Sequence, residues 1–184
     1  MAENVRMKAK VCLVGEGAVG KTSLVRRFVT DEFEDSYIQT LGSKVSKRQL
    51  QVPDADGEPV QVDLTLWDIM GQKAFRELLQ EPYFDGAKGV LAVCDVTRQD
   101  TLFRLEEWIY AVTRVAGSVP IVLLGNKADL GSSAQVKEKD LKQFAASLDA
   151  AWTFTSAKTG ENVEAAFETL ATAIANRELA RQAA

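Results

Sequence analysis

The 184-residue chain contains no histidine. That absence removes the commonest general base near neutral pH and the usual nitrogen ligand for transition metals, so histidine-activated nucleophiles and histidine metal centres are excluded. Cysteine occurs only at Cys12 and Cys94. Each sits inside an apolar run, Val11-Cys12-Leu13-Val14 and Val90-Leu91-Ala92-Val93-Cys94, where a thiol behaves as a small hydrophobe. Two such thiols fit a reducing compartment better than a disulfide framework. No apolar stretch reaches the roughly 18 residues of a membrane span. The opening Met-Ala-Glu-Asn-Val-Arg has no apolar signal core, and Ala2 stands where myristoylation would need glycine. The closing segment, Ala180 to Ala184, offers no cysteine for prenylation. A cytoplasmic location with no direct lipid anchor is therefore expected. Basic charge is short as well: 22 Lys and Arg face 26 Asp and Glu, a net charge of -4. No segment concentrates cations as a nucleic-acid groove would, so nucleic acid is not an expected partner.

What is present is a core-forming chain. Its 46% hydrophobic content and its length suit one domain over residues 1–184, and nothing requires more than a monomer. Short apolar runs rich in β-branched residues alternate with segments of helical period, the pattern of an α/β fold with a mainly parallel sheet. Strands are predicted near 8–14, 44–52, 60–67, 88–95, 119–125 and 150–155. The second and third are joined by the turn-rich Pro53-Asp54-Ala55-Asp56-Gly57-Glu58-Pro59, too short for a crossover helix, so they should form an antiparallel hairpin at one edge. Helices are predicted near 20–31, 73–81, 100–116, 138–147 and 161–178. In the last, Val163, Phe167, Leu170 and Ile174 share one face, and Thr159 to Glu161 supply start signals.

The decisive segment is Gly15-Glu16-Gly17-Ala18-Val19-Gly20-Lys21-Thr22, between the strand ending at Val14 and the helical pattern opening at Ser23. It satisfies G-x-x-x-x-G-K-[ST] in the strand, loop and helix context that the motif requires. Glycines 15, 17 and 20 let the backbone curl so that N–H groups point inward, and the helix N-terminus adds its dipole, which together suit a polyphosphate. Lys21 would neutralise the β- and γ-phosphates, and the Thr22 hydroxyl would reach Mg²⁺. The fold class is thus a P-loop α/β fold: a six-stranded, mainly parallel sheet with one antiparallel edge strand and about five flanking helices. Asp68, which opens Asp68-Ile69-Met70-Gly71-Gln72 at the end of a strand, is a hard oxygen donor where ligands bind in open α/β sheets, and it is the second metal candidate.

Asn126-Lys127-Ala128-Asp129 ends the next apolar strand, and Thr155-Ser156-Ala157-Lys158 ends the one after. A carboxylate at Asp129 would accept both the ring N–H and the exocyclic amine of guanine. Adenine would leave it unpaired and desolvated. These residues favour GTP and GDP over ATP. Another P-loop enzyme, an ATPase or small-molecule kinase, remains the alternative, as does a nucleotide-binding scaffold with negligible hydrolysis.

With these motifs in place, the chain resembles the Ras-superfamily small GTPases over essentially its whole length, and most nearly their Rab-like members. The likeness runs through Trp67-Asp68-Ile69-Met70-Gly71-Gln72, Gly89 to Thr97 and Ser156-Ala157-Lys158. The resemblance implies a molecular switch that hydrolyses GTP. It implies that Thr40 coordinates Mg²⁺ with Thr22 and Asp68, that Gly71 offers a backbone N–H to the γ-phosphate, and that Gln72 orients the attacking water with Lys21 as its catalytic partner. It further implies that Phe33 and Lys127 pack on the guanine, that the Ala157 N–H meets the guanine carbonyl, and that Ser23, Tyr37, Ser156 and Lys158 complete the nucleotide-binding set. Activating proteins, exchange proteins and effectors follow as expected partners.

Departures from the family pattern are Ile69-Met70 where Thr-Ala is usual and Lys73 in place of an acidic residue. Of an aromatic effector patch only Trp67 persists, with Val45 and Pro82 at the other two places; strand packing explains Trp67 equally well. Residues 31–43 contain no arginine, so no arginine finger is expected from that loop and intrinsic turnover should be slow. The absent prenylation cysteine and the long hairpin suggest a prokaryotic, archaeal-type relative.

Overall fold

The computed structural model describes residues 5–36, 39–40, 42–78 and 80–184. Six strands form one sheet in the order β2-β3-β1-β4-β5-β6: β1 (Val5–Val14), β2 (Ser43–Pro53), β3 (Pro59–Ile69), β4 (Ala87–Asp95), β5 (Ile121–Asn126) and β6 (Ala151–Phe154). β2 pairs antiparallel with β3, from Ser43 opposite Ile69 to Pro53 opposite Pro59, and every other pairing is parallel. The expected hairpin is therefore at the edge. Asp54 shapes its turn, accepting backbone N–H groups from Asp56 and Glu58 on Oδ1.

The apolar runs are strands buried on both faces, which is why they read as continuous rather than alternating. In β4 every residue from Gly89 to Asp95 is buried. Leu91 and Val93 face one layer, and Val90, Ala92 and Cys94 face the other. The first layer is covered by α1 (Lys21–Thr30) and α7 (Val163–Ala183), through Leu24, Val25 and Phe28 and through Phe167, Leu170 and Ile174. Phe28 and Phe167 stack with centroids 3.9 Å apart. The second layer is covered by α3 (Gln80–Phe84), α4 (Gln99–Phe103), α5 (Leu105–Ala116) and α6 (Glu138–Ser147), with Trp108 and Phe84 fully buried. α2 (Lys73–Leu78) follows β3.

Three predicted helices depart from expectation, the first being that over 73–81, where the structure has α2 and α3 in succession and α3 runs on to Phe84. The predicted helix over 100–116 is two segments meeting at Arg104, whose N–H still bonds back to Asp100. The last helix begins at Val163, after Asn162 takes a left-handed conformation (φ 57°) and donates its side-chain amide to the Phe154 carbonyl. It runs on to Ala183 because Leu179-Ala-Arg-Gln-Ala consists of strong helix formers.

β1 lies between β3 and β4, so the chain leaves it towards one edge and returns to build the other. The crevice beyond the strand C-termini at such a reversal is where open α/β sheets bind ligands. There the parallel strands deliver Gly15, Asp68, Asp95, Asn126 and Thr155 together.

Candidate functional site

A cavity of about 320 Å³ opens at that end of the sheet. Its wall includes Gly17, Ala18, Gly20, Lys21, Thr22 and Ser23 from the loop after β1 and the start of α1. Phe33 and Thr40 come from the segment before β2, Gly71 and Gln72 from the segment after β3, and Asn126, Lys127, Asp129, Ala157 and Lys158 from the loops after β5 and β6. Residues spread over 142 positions of sequence thus face one space. Gly15, Val19, Asp68 and Ser156 stand behind this wall as its framework. Tyr37 lies outside the described residues.

Every backbone carbonyl of the loop between β1 and α1, from Gly15 to Gly20, has a hydrogen-bond donor. Lys21 Nζ takes Gly15 O at 2.8 Å and Glu16 O at 2.9 Å. Arg98 Nη2 takes Gly17 O at 3.0 Å, Lys127 Nζ takes Ala18 O at 2.7 Å, Asn126 Nδ2 takes Val19 O at 2.9 Å, and the Leu24 N–H takes Gly20 O at 2.9 Å. In a planar peptide the N–H points opposite to its C=O, so this row of bonds leaves the loop an array of donors suited to an anion. Lys21 is 6% exposed and carries a cation into this buried setting. Burial pushes its pKa down from 10.5 to about 8, against the opposing pull of Asp68 and Glu16.

At the other side of the loop, Thr22 Oγ1 lies 2.8 Å from Thr40 Oγ1 and donates to Asp68 Oδ2. Asp68 is 1% exposed, and its Oδ1 is buried with no hydrogen-bond partner. Burial raises its carboxyl above the usual range, while the Thr22 hydrogen bond and the Lys21 charge act the other way. Two hydroxyls and a carboxylate with an unsatisfied buried oxygen form a hard oxygen donor set, and these residues fit Mg²⁺.

The base end is built by buried hydrogen bonds. Asn126, 1% exposed, braces two loops, donating to Val19 O and accepting from Thr155 Oγ1 at 3.1 Å. Ser156 Oγ donates to Asp129 Oδ1 at 2.7 Å and aims that carboxylate. Phe33 is partly buried against the core layer to which Leu24, Val25 and Phe28 of α1 belong.

A sequence model of the Ras family matches residues 10–176. The chain belongs to the Ras family. Membership implies a small GTPase switch, and Ras-family proteins typically bind GTP or GDP with Mg²⁺. No helix among the described residues is long and apolar enough to cross a membrane.

Several positioning residues of this Ras-family site escaped sequence reasoning. Arg27 fastens the loop after β6, donating to Ala157 O at 2.8 Å and Lys158 O at 2.7 Å. Trp108, from α5, donates its indole N–H to Glu16 Oε1 at 2.9 Å. Asp95 carries a signal like that of Asp68, a carboxylate at the C-terminal end of a strand, but Arg98 carries none. Trp67 is strand packing at least in part: it meets Tyr83 edge to face at 6.0 Å, and Lys10 lies 4.0 Å over its ring. Val45 is exposed.

Proposed function

We propose that this protein is a guanine-nucleotide switch that hydrolyses GTP to GDP and phosphate slowly and transmits its state through the segments carrying Thr40 and Gly71. The observation that carries this reading is the convergence on one cavity of a donor-lined phosphate loop, an oxygen donor set at Thr22, Thr40 and Asp68, and a carboxylate at Asp129 aimed by Ser156. On this reading Lys21 neutralises the β- and γ-phosphates and the loop N–H groups orient them. Bound Mg²⁺, held by Thr22, Thr40 and Asp68, would offset charge on the phosphate oxygens. Gln72 orients a water towards the γ-phosphorus; as that oxygen bonds, the bond to the bridging oxygen breaks and the water's protons leave on the phosphate products. Thr40 and Gly71 then lose a partner, which is how loss of one phosphate alters a surface for protein partners.

Phe33 and Lys127 sandwich the base, the Ala157 N–H meets its carbonyl oxygen, Ser23 and Lys158 add contacts from the cavity wall, and the backbone of Gly15 and Val19 supports the loop from behind it. We assign the whole chain to one domain that acts as a cytoplasmic monomer, in keeping with two free, buried thiols, and regulated by activating and exchange proteins. A Rab-like, archaeal-type character is part of the same proposal, supported by Trp67-Asp68 beside Gly71-Gln72 and by the long β2–β3 hairpin.

Single-turnover hydrolysis of bound GTP tests the reading. Wild type should turn over slowly and Gln72→Leu at least about tenfold more slowly. Asp129→Asn should shift preference from guanine to xanthine nucleotides. Turnover indifferent to Gln72, or preference indifferent to Asp129, would defeat the corresponding assignment.

A further inference from the structure

The bonds on the Gly17 and Ala18 carbonyls come from two cations that share one carboxylate. Asp95, at the C-terminal end of β4, is 1% exposed. Its Oδ2 lies 2.8 Å from Lys127 Nζ and 3.2 Å from Arg98 Nε. Its Oδ1 accepts the backbone N–H of Thr97 at 2.9 Å and the Thr97 hydroxyl at 2.7 Å, which fixes the carboxylate's orientation. Thr101 Oγ1 accepts the Asp95 backbone N–H at 2.9 Å and donates to Arg98 O at 2.7 Å, so the short turn from Asp95 into α4 is tied at both ends.

We infer that Asp95 and Arg98 are positioning residues for the phosphate loop. Asp95 holds Arg98 and Lys127 side by side, and the pair of cations keeps two successive loop carbonyls, Gly17 and Ala18, facing out of the cavity. This inference rests on the guanine-nucleotide reading above and adds to it two residues that lie outside the cavity wall.

Three physical arguments support it. Ala18 adopts φ 61°, a left-handed conformation. For a residue with a Cβ this costs about 1–2 kcal/mol and persists only where neighbouring structure holds it. Lys127, at the other end of the bond to Ala18, is also left-handed, with φ 67°. Second, a cation on a peptide carbonyl polarises that amide and strengthens its N–H as a donor on the opposite side. The two peptides so polarised are those whose N–H groups belong to Ala18 and Val19. Third, an exposed carbonyl would repel a phosphate, and both carbonyls are already covered by positive charge. Two cations this close would repel each other, and the carboxylate between them removes that cost.

The test compares GDP and GMP affinity by titration calorimetry for wild type, Arg98→Met, Arg98→Lys and Asp95→Asn, with circular dichroism of each. The Arg98 side chain is 41% exposed, so its replacement leaves the core intact. Loss of one charge-assisted hydrogen bond should weaken GDP about tenfold. The effect on GMP, which reaches less of the loop, should be smaller, so the GDP-to-GMP affinity ratio falls. Arg98→Lys should restore most of the ratio, and Asp95→Asn should lower it further because both cations lose their anchor. An unchanged ratio in Arg98→Met, an equal loss for both nucleotides, or no rescue by lysine would overturn the inference while guanine binding stands. Failure of wild type to bind GDP would instead overturn the underlying nucleotide reading, and this inference with it.

Discussion

Gly71 stands so close to Gly17 that a methyl group on it would fall 2.4 Å from the Gly17 nitrogen and 2.8 Å from Glu16 O. Both atoms are backbone, so neither yields cheaply. The segment after β3 is thereby docked directly on the phosphate loop, and only a residue without Cβ allows the approach. Gly71→Ala should hold the two segments apart. The expected outcome is GDP affinity within about threefold of wild type and single-turnover GTP hydrolysis slowed at least about tenfold, because Gln72 is carried away with its neighbour. Parallel measurements of GDP release and GTP turnover check this; equal turnover would mean the docked arrangement is dispensable.

Asp68 Oδ1 is a buried acceptor without a partner, and a divalent cation would satisfy it. In wild type, EDTA should speed GDP release by about tenfold or more, and Asp68→Asn should release GDP quickly with or without EDTA. Stopped-flow measurement with a fluorescent GDP analogue distinguishes the two. An Asp68→Asn protein that remained EDTA-sensitive would remove Asp68 from the metal set.

Gly15 and Gly89 make contrasting stability predictions. Gly15 has φ 145°, and a Cβ there would lie 2.2 Å from the Val93 carbonyl oxygen, which is fixed in the sheet. At Gly89 the nearest atoms, Ile174 Cδ1 at 2.7 Å and Leu170 Cδ1 at 3.0 Å, are ends of flexible side chains. Gly15→Ala should therefore cost about 3 kcal/mol or more and Gly89→Ala about 1–2 kcal/mol, read from urea midpoints at unchanged slope.

Burial pushes the Asp95 carboxyl upward, yet hydrogen bonds from Lys127 and Thr97 and the Lys127 charge outweigh it and hold the group below its ordinary 3.8. Above about pH 4 the carboxylate is ionised in both folded and unfolded chains, and its stabilising contribution is fully present. As pH falls through the folded value, the native state must take up a proton at this site and that contribution is lost. Melting temperature should thus drop on acidification below about pH 4 more steeply in wild type than in Asp95→Asn. Parallel curves would mean that Asp95 gains nothing from its cations.

Cys12 and Cys94 are fully buried, and desolvation pushes both thiols up to about 12. At pH 8 the native protein should react with a disulfide reagent far more slowly than after unfolding in guanidinium, when both thiols become available. Rapid reaction of the native protein would contradict the burial.

Which features were legible in the sequence depended on whether their cause was local. Gly15 to Thr22 is readable because a phosphate loop needs its glycines, lysine and threonine at fixed short spacings. The runs at Val11 and Val90 are readable because strands buried on both faces lose their alternation. The hairpin is readable because seven turn-prone residues cannot contain a crossover helix. The start of α7 at Val163 was not, since it is tied to a left-handed Asn162 whose side-chain amide bonds the Phe154 carbonyl at the end of β6.

The sequence by itself determined the succession of strands along the chain, the edge hairpin and the phosphate loop, since each follows from periodicity or from spacing within about ten residues, and it singled out Asp68 and Asp129 by their places after strands. Only the tertiary structure decided that Arg98 reaches Gly17 across 81 positions, that Trp108 reaches Glu16 across 92, and that Arg27 fastens Ala157 across 130. A side chain's partner at such separations is set by which strand ends the sheet order brings together. That order comes from packing two apolar faces at once, a condition on the whole chain that no local segment contains.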